Sequence, residues 1–586
     1  MKKLFCLIIF FSWGLVACQS DEELLTEVPK TFYTVDNIFN TPAQVDQALV
    51  TLYMQLRSIW GSNLLRGNGT DMLDVPSIRK ASSFNNYGTI NPDSQEFYGV
   101  YSEWYIMISR ANLAIQAANL PHLAWLSEAD KLYVLAQARF FRAFAYLNLA
   151  ELFGGVPLVT EVITEPRYDF VRASRVETYQ YVIDELTAIE GDMPETHPQG
   201  GRVVRGAVQH MLSRAYLGKG IQLAAEQKTG EAATAFNQSV AYADKLINGS
   251  VYELMQSRFG SRRNEQIVNI NVHRSGNQAN EIIYTIELTP NVFWDLFQEN
   301  NVNYQDGNKE SIWTLQIDYA AYRAEDRNSH LPYARNFGPV FRDYAKDHFT
   351  GTLEDVGGRG IAGVIPNWYM RDTIFTGKWG DDMRNSEIAY RRTFIANVPT
   401  SPYYKNPVPW EVLYHGSPSE VTNEINQSLV FPISCKIATD RFTGIPDGEN
   451  RSNLYRDDYY IRLSETILQR AEAKQRLGDK AGAAADINLL RSRAQCAYLV
   501  TAADVDDDFN LILDERAREL MYEEFRWNTL LRMGGTIAVD RIRKYAFWPD
   551  PRNTLTFNYN LWPIPNRVID SNKNVPMEQN EGWKNR

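Results

Sequence analysis

A group of four acidic residues near the C-terminal end falls at the ligand spacing of a calcium-binding EF-hand loop. The group consists of Asp504, Asp506, Asp508 and Glu515. An EF-hand loop needs glycine at its sharp turn, where this chain has Phe509, and Glu515 lies in an apolar-periodic run that predicts a helix. We therefore interpret the aspartates as caps of that helix, because carboxylates at a helix start accept its free amide hydrogens.

The seven histidines are too dispersed to indicate a metal site, since no two lie within four residues of each other. They are His122, His197, His210, His273, His330, His348 and His415. No H-E-x-x-H, C-x-x-C, dinucleotide, phosphate-loop or G-x-S-x-G motif is complete. A glycosidase needs a pair of carboxylates across a cleft, and 71 acidic residues neither support nor exclude one. We expect no metal and no cofactor; a glycoside-active enzyme is the less favoured alternative.

The composition is that of a folded protein, with 586 residues of which 44% are hydrophobic and 22% charged. This length exceeds the roughly 250–300 residues that one core accommodates, which predicts several lobes or a stacked architecture. Lys and Arg total 60 against 71 Asp and Glu, and no basic block interrupts the net charge of −11. We expect no nucleic-acid partner, because binding along phosphates needs clustered cations.

The N-terminus, MKKLFCLIIFFSWGLVAC, has a positive start and an apolar run too short for a membrane span. It predicts a signal peptide over 1–17. Its end, residues 15–18, resembles the lipobox of bacterial lipoproteins, in which Cys18 would be the first mature residue and carry lipid such as palmitate. The alternative is ordinary cleavage with Cys18 as a bystander. The acidic stretch 19–23 resembles the surface-export signal of Bacteroidota lipoproteins and also suits a flexible tether.

Two further cysteines, Cys435 and Cys496, remain in the mature chain. Two cysteines in a chain of this length do not build a disulfide scaffold. We expect two buried thiols, and a disulfide stays open if the fold brings the pair together.

Apolar periodicity predicts helices through most of the first 250 residues. They lie near 42–58, 101–118, 129–152, 176–190, 203–225 and 231–247. The run over 129–152 is apolar on two faces, and Gly154-Gly155 with Pro157 ends it. Helices are predicted again from Tyr459 onward and from Asn510 to Arg532.

Several of these helices form pairs. The two runs that meet at Leu477-Gly478-Asp479 carry small residues where they would cross, which predicts an αα-hairpin and resembles a tetratricopeptide unit. The two other candidate pairs are 101–118 with 129–152, and 209–224 with 231–247.

The middle of the chain has a different character, with many glycines, prolines and asparagines. Short alternating runs at 267–272 and 282–286 predict small strands. A loop-rich segment of this length usually holds a binding surface.

The sequence predicts five parts of the chain. They are a signal peptide (1–17), a lipidated tether (18–40), an N-terminal helical part (41–250), a loop-rich lobe (251–450) and a C-terminal helical part with its tail (451–586). We expect the two helical parts to pack as one unit.

Four stretches resemble the signatures of the SusD/RagB family of lipoproteins, in the family's order. They are Arg139–Tyr146 continuing through 152–159, Tyr459–Glu465 continuing through 471–473, Ile512–Leu520 ending at 524–527, and Leu561–Pro565 with Ile569, Asp570 and Asn574. Together with the lipobox, they extend over most of the chain.

The resemblance implies a mainly α, SusD-like fold, in which tetratricopeptide-like helical pairs support an irregular lobe with short strands. It also implies a lipid-anchored protein on the extracellular face of the outer membrane. Such proteins cover a SusC-like TonB-dependent transporter as a lid, capture oligosaccharides or polysaccharides and deliver them. The alternatives are capture of a peptide or other nutrient, and a structural lid without glycan affinity.

In that family the ligand site lies on the variable lobe and the loops beside it. A sugar ring offers an apolar face to aromatic rings and a rim of hydroxyls to planar polar groups. The matching candidates are Asp71, Arg79, Asn85, Asn86, Tyr87, Trp294, Trp313, Trp368 and Trp379. Core packing is the commoner use of any one tryptophan, and we expect at least one of the group to stack on ligand.

The signatures also place charges inside apolar helices. These charges are Arg139, Arg142, Arg462, Glu465, Glu515, Arg516, Arg518 and Glu519. Because buried charges persist only when paired or hydrogen-bonded, we interpret them as an ion network between helices or as a surface facing the transporter.

Overall fold

The protein is mainly α-helical, as predicted. A computed structural model describes residues 38–76, 83–274, 281–324, 330–350, 359–415, 428–438 and 453–584. Its helices of eight or more residues are α1 (Pro42–Trp60), α2 (Gln95–Ala118), α3 (Glu128–Leu152), α4 (Arg175–Ile189), α5 (Arg205–Ala225), α6 (Thr229–Ile247), α7 (Leu463–Arg476), α8 (Lys480–Arg493), α9 (Asn510–Leu520), α10 (Arg526–Met533) and α11 (Ile537–Tyr545). Its strands are β1 (Leu73–Asp74), β2 (Val268–His273), β3 (Ile282–Leu288), β4 (Ser311–Leu315), β5 (Ile365–Pro366), β6 (Tyr390–Arg391), β7 (Ile433–Ser434) and β8 (Asp458–Arg462).

The helices pack in consecutive pairs, α2 on α3, α5 on α6 and α7 on α8, as the sequence predicts. Close packing around α5 depends on glycine. A Cβ atom at Gly218 would lie 2.5 Å from the ring of Tyr179 in α4, and one at Gly220 would lie 2.5 Å from the ring of Phe236 in α6. The end of α3 also follows the prediction, because Gly154 takes a positive φ of 78° just beyond it.

The N-terminal and C-terminal helices share one hydrophobic core. Helix α7 lies against α5 and α6, and α10 lies against α3. Ion pairs cross the same boundaries: Arg470 of α7 binds Asp244 of α6 at 2.7 Å, and Arg532 of α10 contacts Glu151 of α3 at 3.8 Å. The helical body is therefore built from both ends of the chain.

The signature charges form the predicted ion network. Arg142 of α3 contacts Glu185 of α4 at 2.6 Å. Glu519 of α9 is fully buried and contacts three arginines, Arg384 at 2.9 Å, Arg462 at 2.6 Å and Arg493. Burial alone would raise the pKa of Glu519, but these cations outweigh it and hold the pKa well below the usual range.

Each of the four two-stranded sheets of the described chain has at least one strand in the loop-rich middle. The predicted strands form an antiparallel hairpin, β2 with β3, while β1 pairs with β5, β4 with β8 and β6 with β7. Helices of four to six residues fill parts of the same region. The lobe is thus irregular, with short strands, as the sequence indicates.

Two boundaries differ from the sequence-based expectation. The run expected to be helical from Tyr459 begins as strand β8, because Tyr459 and Ile461 pair with β4 before α7 starts at Leu463. The helix expected over 510–532 is split into α9 and α10 by Tyr522, whose φ is 65°. The break lets Glu524 turn back to Arg516 at 2.6 Å.

Three smaller expectations have clear outcomes. Cys435 and Cys496 are buried free thiols, and burial raises the pKa of each to about 12. Of the aspartates expected to cap α9, Asp506 does so, since its carboxylate accepts from the amide nitrogens of Asn510 at 2.9 Å and Leu511 at 2.8 Å. Asp504 does not cap this helix: it accepts from the Tyr498 hydroxyl at 2.6 Å and pairs with Lys378 at 3.0 Å. None of the helices in the described ranges has the length and apolar character needed to span a bilayer.

Candidate functional site

The loop between α1 and α2 is fastened to the helical body by an aspartate. Asp71 is fully buried and contacts Arg526 of α10 at 2.7 Å and Arg541 of α11 at 2.6 Å. Burial would raise the pKa of Asp71, but the two guanidinium groups prevail and lower it to about 2. Asp71 is therefore an ionised anchor for this loop.

The anchored loop positions a short helical turn of the lobe. Next to the β1–β5 pair, the backbone amide of Asn367 donates to Met72 O at 3.0 Å, and its side-chain amide donates to Asp71 O at 2.7 Å. The side-chain oxygen of Asn367 accepts from the amide of Met370 at 3.0 Å, which caps the turn Trp368–Arg371. One asparagine thus joins the loop to the turn.

Two stacked aromatic pairs lie at this turn. Trp368 stacks on Phe547 with ring centroids 4.9 Å apart, and Tyr369 stacks on Tyr545 at 4.0 Å. Trp368, Tyr369 and Tyr545 are half-buried, whereas Phe547 is buried behind Trp368. We call these four residues the aromatic platform; it joins the middle of the chain to the segment after α11.

Charged side chains border the aromatic platform. Arg552 is exposed, and its guanidinium donates to Ala546 O at 3.1 Å and Phe547 O at 3.3 Å. The ammonium of Lys544 lies 4.9 Å from the ring centre of Tyr545, and Asp372 is exposed directly after the helical turn. The platform therefore combines ring surface with donors and acceptors of both charge signs.

A second aspartate lies behind the aromatic platform. Asp74 is buried and accepts a hydrogen bond from the amide of Phe547 at 2.7 Å. Burial raises the pKa of Asp74 to about 7, although the Phe547 amide acts in the opposite direction. The neighbouring Val75 O accepts from the indole N–H of Trp548 at 2.7 Å. The α1–α2 loop therefore contacts the segment that follows α11 through the Asp74 side chain and the Val75 backbone.

Two of the candidate tryptophans are core residues. Trp313 is 1% exposed, with its ring centroid 5.1 Å from that of Phe140 and 4.4 Å from that of Tyr460. Trp294 is 4% exposed, and the guanidinium of Arg262 lies 4.5 Å from its ring centre. Neither ring presents an open face in this arrangement, because each packs where strands of the lobe meet other elements.

The other two tryptophans are half-buried. Trp368 belongs to the aromatic platform. Trp379 has the guanidinium groups of Arg518 and Arg491 at 4.3 Å and 4.8 Å from its ring centre, and Tyr498 at its edge. Its ring therefore contacts the cations that surround α9.

The loop candidates divide between the interior and the surface. Asp71 is the buried anchor, and Tyr87 is fully buried with its hydroxyl 3.4 Å from Gly69 O. Asn85 is buried and its side-chain oxygen has no hydrogen-bond partner among the described residues, whereas Asn86 is exposed and accepts from the Gly88 amide. Two predicted residues, Arg79 and the lipidation candidate Cys18, lie outside the described residues.

Sequence reasoning missed three of the four platform residues, Tyr369, Tyr545 and Phe547. The available signal was the dense aromatic run at 545–548, which follows an amphipathic helix and is too short to be a strand of its own. The region described by the structure contains no group of three or more His, Cys, Asp or Glu side chains arranged to hold a metal ion.

The fold and the platform define a helical-repeat protein with a loop-built aromatic surface, and comparisons with known proteins identify the family. The sequence model of the SusD family matches residues 436–583, and a model described as "Starch-binding associating with outer membrane" matches residues 21–217. Together they cover more than half of the chain. The chain belongs to the SusD/RagB family.

Individual relatives agree over nearly the whole length. The starch-binding protein SusD of Bacteroides thetaiotaomicron is 24% identical over 548 residues, which are 87% of this chain and 82% of that protein. The crystal structure of a SusD homologue from the same species has a TM-score of 0.68 at 18% identity, covering 96% of this chain and all of that one. A laminarin-binding SusD-like protein has a TM-score of 0.61 at 20% identity, covering 93% of this chain and all of that one.

Proposed function

We propose that this protein is a cell-surface lipoprotein that captures oligosaccharides or polysaccharides and delivers them, as a lid, to a SusC-like TonB-dependent transporter. The observation that carries the proposal is the aromatic platform, which lies where the α1–α2 loop meets the lobe. Family membership supports the same role, since a relative binds starch and a protein of similar fold binds laminarin.

The platform suits a sugar for physical reasons. Half-buried rings stack on the C–H face of a pyranose at little conformational cost, because their own stacking already fixes their orientation. The Arg552 and Lys544 side chains can donate to hydroxyls, and the Asp372 carboxylate can accept from them. We infer that Trp368, Tyr369 and Tyr545 hold the ring face and that these charged groups hold its rim.

The remaining sequence-based candidates enter the proposal according to their position. Asn86 is exposed on the loop that the platform abuts, and Asn85 has an unpartnered carbonyl oxygen among the described residues. With Arg79 they would contact hydroxyls beyond the platform, and Trp379 would extend the aromatic surface after a local rearrangement. Asp71, Tyr87, Trp294 and Trp313 would support the site from beneath, because their side chains are buried.

The anchor and location follow from the N-terminus. We propose that Cys18 carries the lipid and holds the protein on the extracellular face of the outer membrane. The matched description "associating with outer membrane" supports this location. Replacement of Cys18 with alanine should move the protein from the membrane fraction to the soluble fraction; unchanged partition into membranes would refute the lipid anchor.

The proposal includes no catalysis, and the chemistry is capture alone. Two alternatives remain distinct from it: capture of a peptide or other nutrient, and a structural lid without glycan affinity. Co-purification from outer membranes tests the partner in all three cases. Recovery without a large transporter barrel would contradict the lid role.

The decisive experiment compares Trp368→Ala with the unchanged protein in affinity electrophoresis against starch, laminarin and a panel of other soluble polysaccharides. We expect retardation of the unchanged protein by at least one glycan and about a 30-fold loss of affinity in the variant, the size of a single dominant contact. Trp410→Ala, another half-buried tryptophan of the lobe, is the matched control and should bind normally. Absence of retardation by every glycan would favour the two alternatives.

A further inference from the structure

A cavity of about 380 Å³ lies apart from the aromatic platform and shares no residue with it. Its sides are α2, the segment that follows α3 and the helical turn Asn566–Ser571. Cavities of roughly 300–1,000 Å³ with apolar walls and a few polar groups are typical of sites for small ligands. Nothing in the platform-based function uses this cavity.

One wall of the cavity is a stripe of tyrosines on α2. Tyr98, Tyr101 and Tyr105 follow the three- and four-residue spacing that places side chains on one helix face. The rings of Tyr101 and Tyr105 stack with centroids 4.8 Å apart, and the Tyr105 hydroxyl donates to Pro157 O at 2.7 Å. The wall is therefore a fixed aromatic surface.

The opposite side of the cavity is an extended segment held in place by one asparagine. The Phe170 amide donates to Asn572 Oδ1 at 2.8 Å, and Asn572 Nδ2 donates back to Phe170 O at 2.8 Å. A third bond joins the Asn574 amide to Tyr168 O at 2.8 Å. Because these bonds fix the backbone, the cavity needs no rearrangement before it binds a ligand, which lowers the cost of binding.

Two side chains with large apolar surfaces that line the cavity are exposed to solvent. Tyr168 is 45% exposed and Ile163 is 40% exposed, and both line the cavity. Together they add apolar surface to the cavity that a ligand could contact. A ligand that covers them would gain the free energy of removing this surface from water.

The polar groups of the cavity have both charge signs. The guanidinium of Arg567 lies 4.8 Å from the ring centre of Tyr98, and no carboxylate of the described chain lies within ion-pair distance of it. Arg167 pairs with Asp169 at 3.1 Å and with Glu161 at 3.9 Å, and the Glu161 side chain is 76% exposed. Hydrogen-bond donors and acceptors thus both line the cavity beside the tyrosine rings.

We propose that this cavity, the tyrosine cleft, is a second saccharide-binding site. The inference rests on the proposed function, because it supposes that the protein binds glycan. Hydroxyls both donate and accept, so a neutral sugar can bond to Arg567 and also to Glu161, whose charge Arg167 already balances at 3.9 Å. The tyrosine rings supply the stacking surface that a sugar face requires.

A second site changes how a polymer is held. A polysaccharide bound at the aromatic platform would reach the tyrosine cleft at a high effective concentration, so two weak sites would retain it more strongly than either alone. Short oligosaccharides, which cannot reach both sites at once, would instead bind with two molecules per protein.

The test combines variants of the full-length mature protein. In the Trp368→Ala background, we expect residual retardation by the polysaccharide that binds the unchanged protein, and about a tenfold further loss when Tyr168→Ala and Arg567→Ala are added. Tyr284→Ala, an exposed tyrosine of β3 at 43% exposure, is the matched control and should add no loss. Hydrogen exchange with maltohexaose and laminarihexaose should show protection of residues 161–171 even in the Trp368→Ala protein.

The outcomes separate the two proposals. If Trp368→Ala alone removes all glycan binding and residues 161–171 gain no protection, the tyrosine cleft is not a saccharide site and the proposed function stands. If the Tyr168→Ala and Arg567→Ala protein binds glycan normally but no longer co-purifies with the transporter, the cleft is a protein interface and this inference is wrong. If the unchanged protein binds no glycan, both proposals fail.

Discussion

Charged side chains are buried in the helical body and exposed at the surface of the loop-built lobe's aromatic platform. In the body, charges such as Glu519 and Arg462 are fully buried and paired with each other between helices. At the aromatic platform, half-buried rings lie at the surface and the charges of Arg552 and Lys544 stay at the rim. The body uses charge to hold helices together, while the platform keeps its charge accessible.

Two aspartates show the transition between these regions. Asp71 and Asp74 are three residues apart and both are buried, yet the pKa of Asp71 is about 2 and that of Asp74 is about 7. Asp71 pairs directly with two arginines of the body. Asp74 accepts one backbone amide, and the nearby Arg371 and Arg552 lower its pKa less than burial raises it. Burial disfavours the charged form unless cations compensate, so the change in partners marks where the body ends.

The largest expected effect is in the body. Glu519→Ala should lower the free energy of unfolding by about 3–5 kcal/mol, because it leaves Arg384, Arg462 and Arg493 buried without their shared partner. Urea unfolding followed by circular dichroism measures the change. If the alanine variant does not fold, Glu519→Gln keeps the side-chain volume and should still be strongly destabilised.

The control for this prediction is Glu581→Ala, an acid with 89% of its side chain exposed. Its free energy of unfolding should change by no more than about 0.5 kcal/mol. If both variants changed the free energy of unfolding equally, the buried ion network would not stabilise the protein more than an exposed acid does. The proposed contrast, in which buried charge stabilises the body but not the lobe, would then be wrong.

The next largest effect is a pH dependence at Asp74. The folded-state pKa of about 7 lies above the ordinary value of 3.8, so the folded protein retains a proton that the unfolded chain has lost. The contribution of Asp74 to stability is therefore full below pH 3.8 and is lost as the pH rises to 7. At about 1.4 kcal/mol per pKa unit, the difference between 3.8 and about 7 corresponds to a loss on the order of 4 kcal/mol.

Asp74→Asn removes this proton while keeping an acceptor for the Phe547 amide. Relative to the unchanged protein, the variant should therefore gain stability between pH 4 and pH 8 in urea unfolding. Asp71→Asn is the matched comparison with the opposite sign: the pKa of Asp71 is lowered, so its contribution is present at neutral pH and disappears as the pH falls from 3.8 toward 2. If the stability of both variants, relative to the unchanged protein, varied with pH in the same way, the raised pKa of Asp74 would be wrong.

Much of the body could be predicted from the sequence, because local patterns determine it. The apolar periodicity of 129–152 and the glycines that follow define α3, and the turn at 477–479 separates α7 from α8. The charges inside those patterns could be assigned to an ion network because a buried charge needs a partner. Strand β8 was missed because its pairing with β4 is decided by residues far away in the sequence.

The pairing of rings in the aromatic platform could not be predicted for the same reason. Trp368 was a candidate, but its stacking partner Phe547 lies 179 residues further along the chain, and no local period links the two. Trp294 and Trp313 have the same residue type in the same lobe and are buried. Composition identifies a ring that could bind a sugar, while tertiary packing decides which ring reaches the surface.

The smallest expected effect is at an acid of the body that caps a helix. Asp506→Ala removes the acceptor for two amide hydrogens at the start of α9 and should lower the free energy of unfolding by about 1 kcal/mol. Asp508→Ala, an exposed neighbour, should change it by less than about 0.5 kcal/mol, since calcium ligation would affect both while capping affects one. Stabilisation of the unchanged protein by calcium, lost in both variants, would contradict the capping assignment. If the loss of unfolding free energy decreases from Glu519 through Asp506 to Asp508, an acid in the body stabilises the fold in proportion to the number of donors that it satisfies.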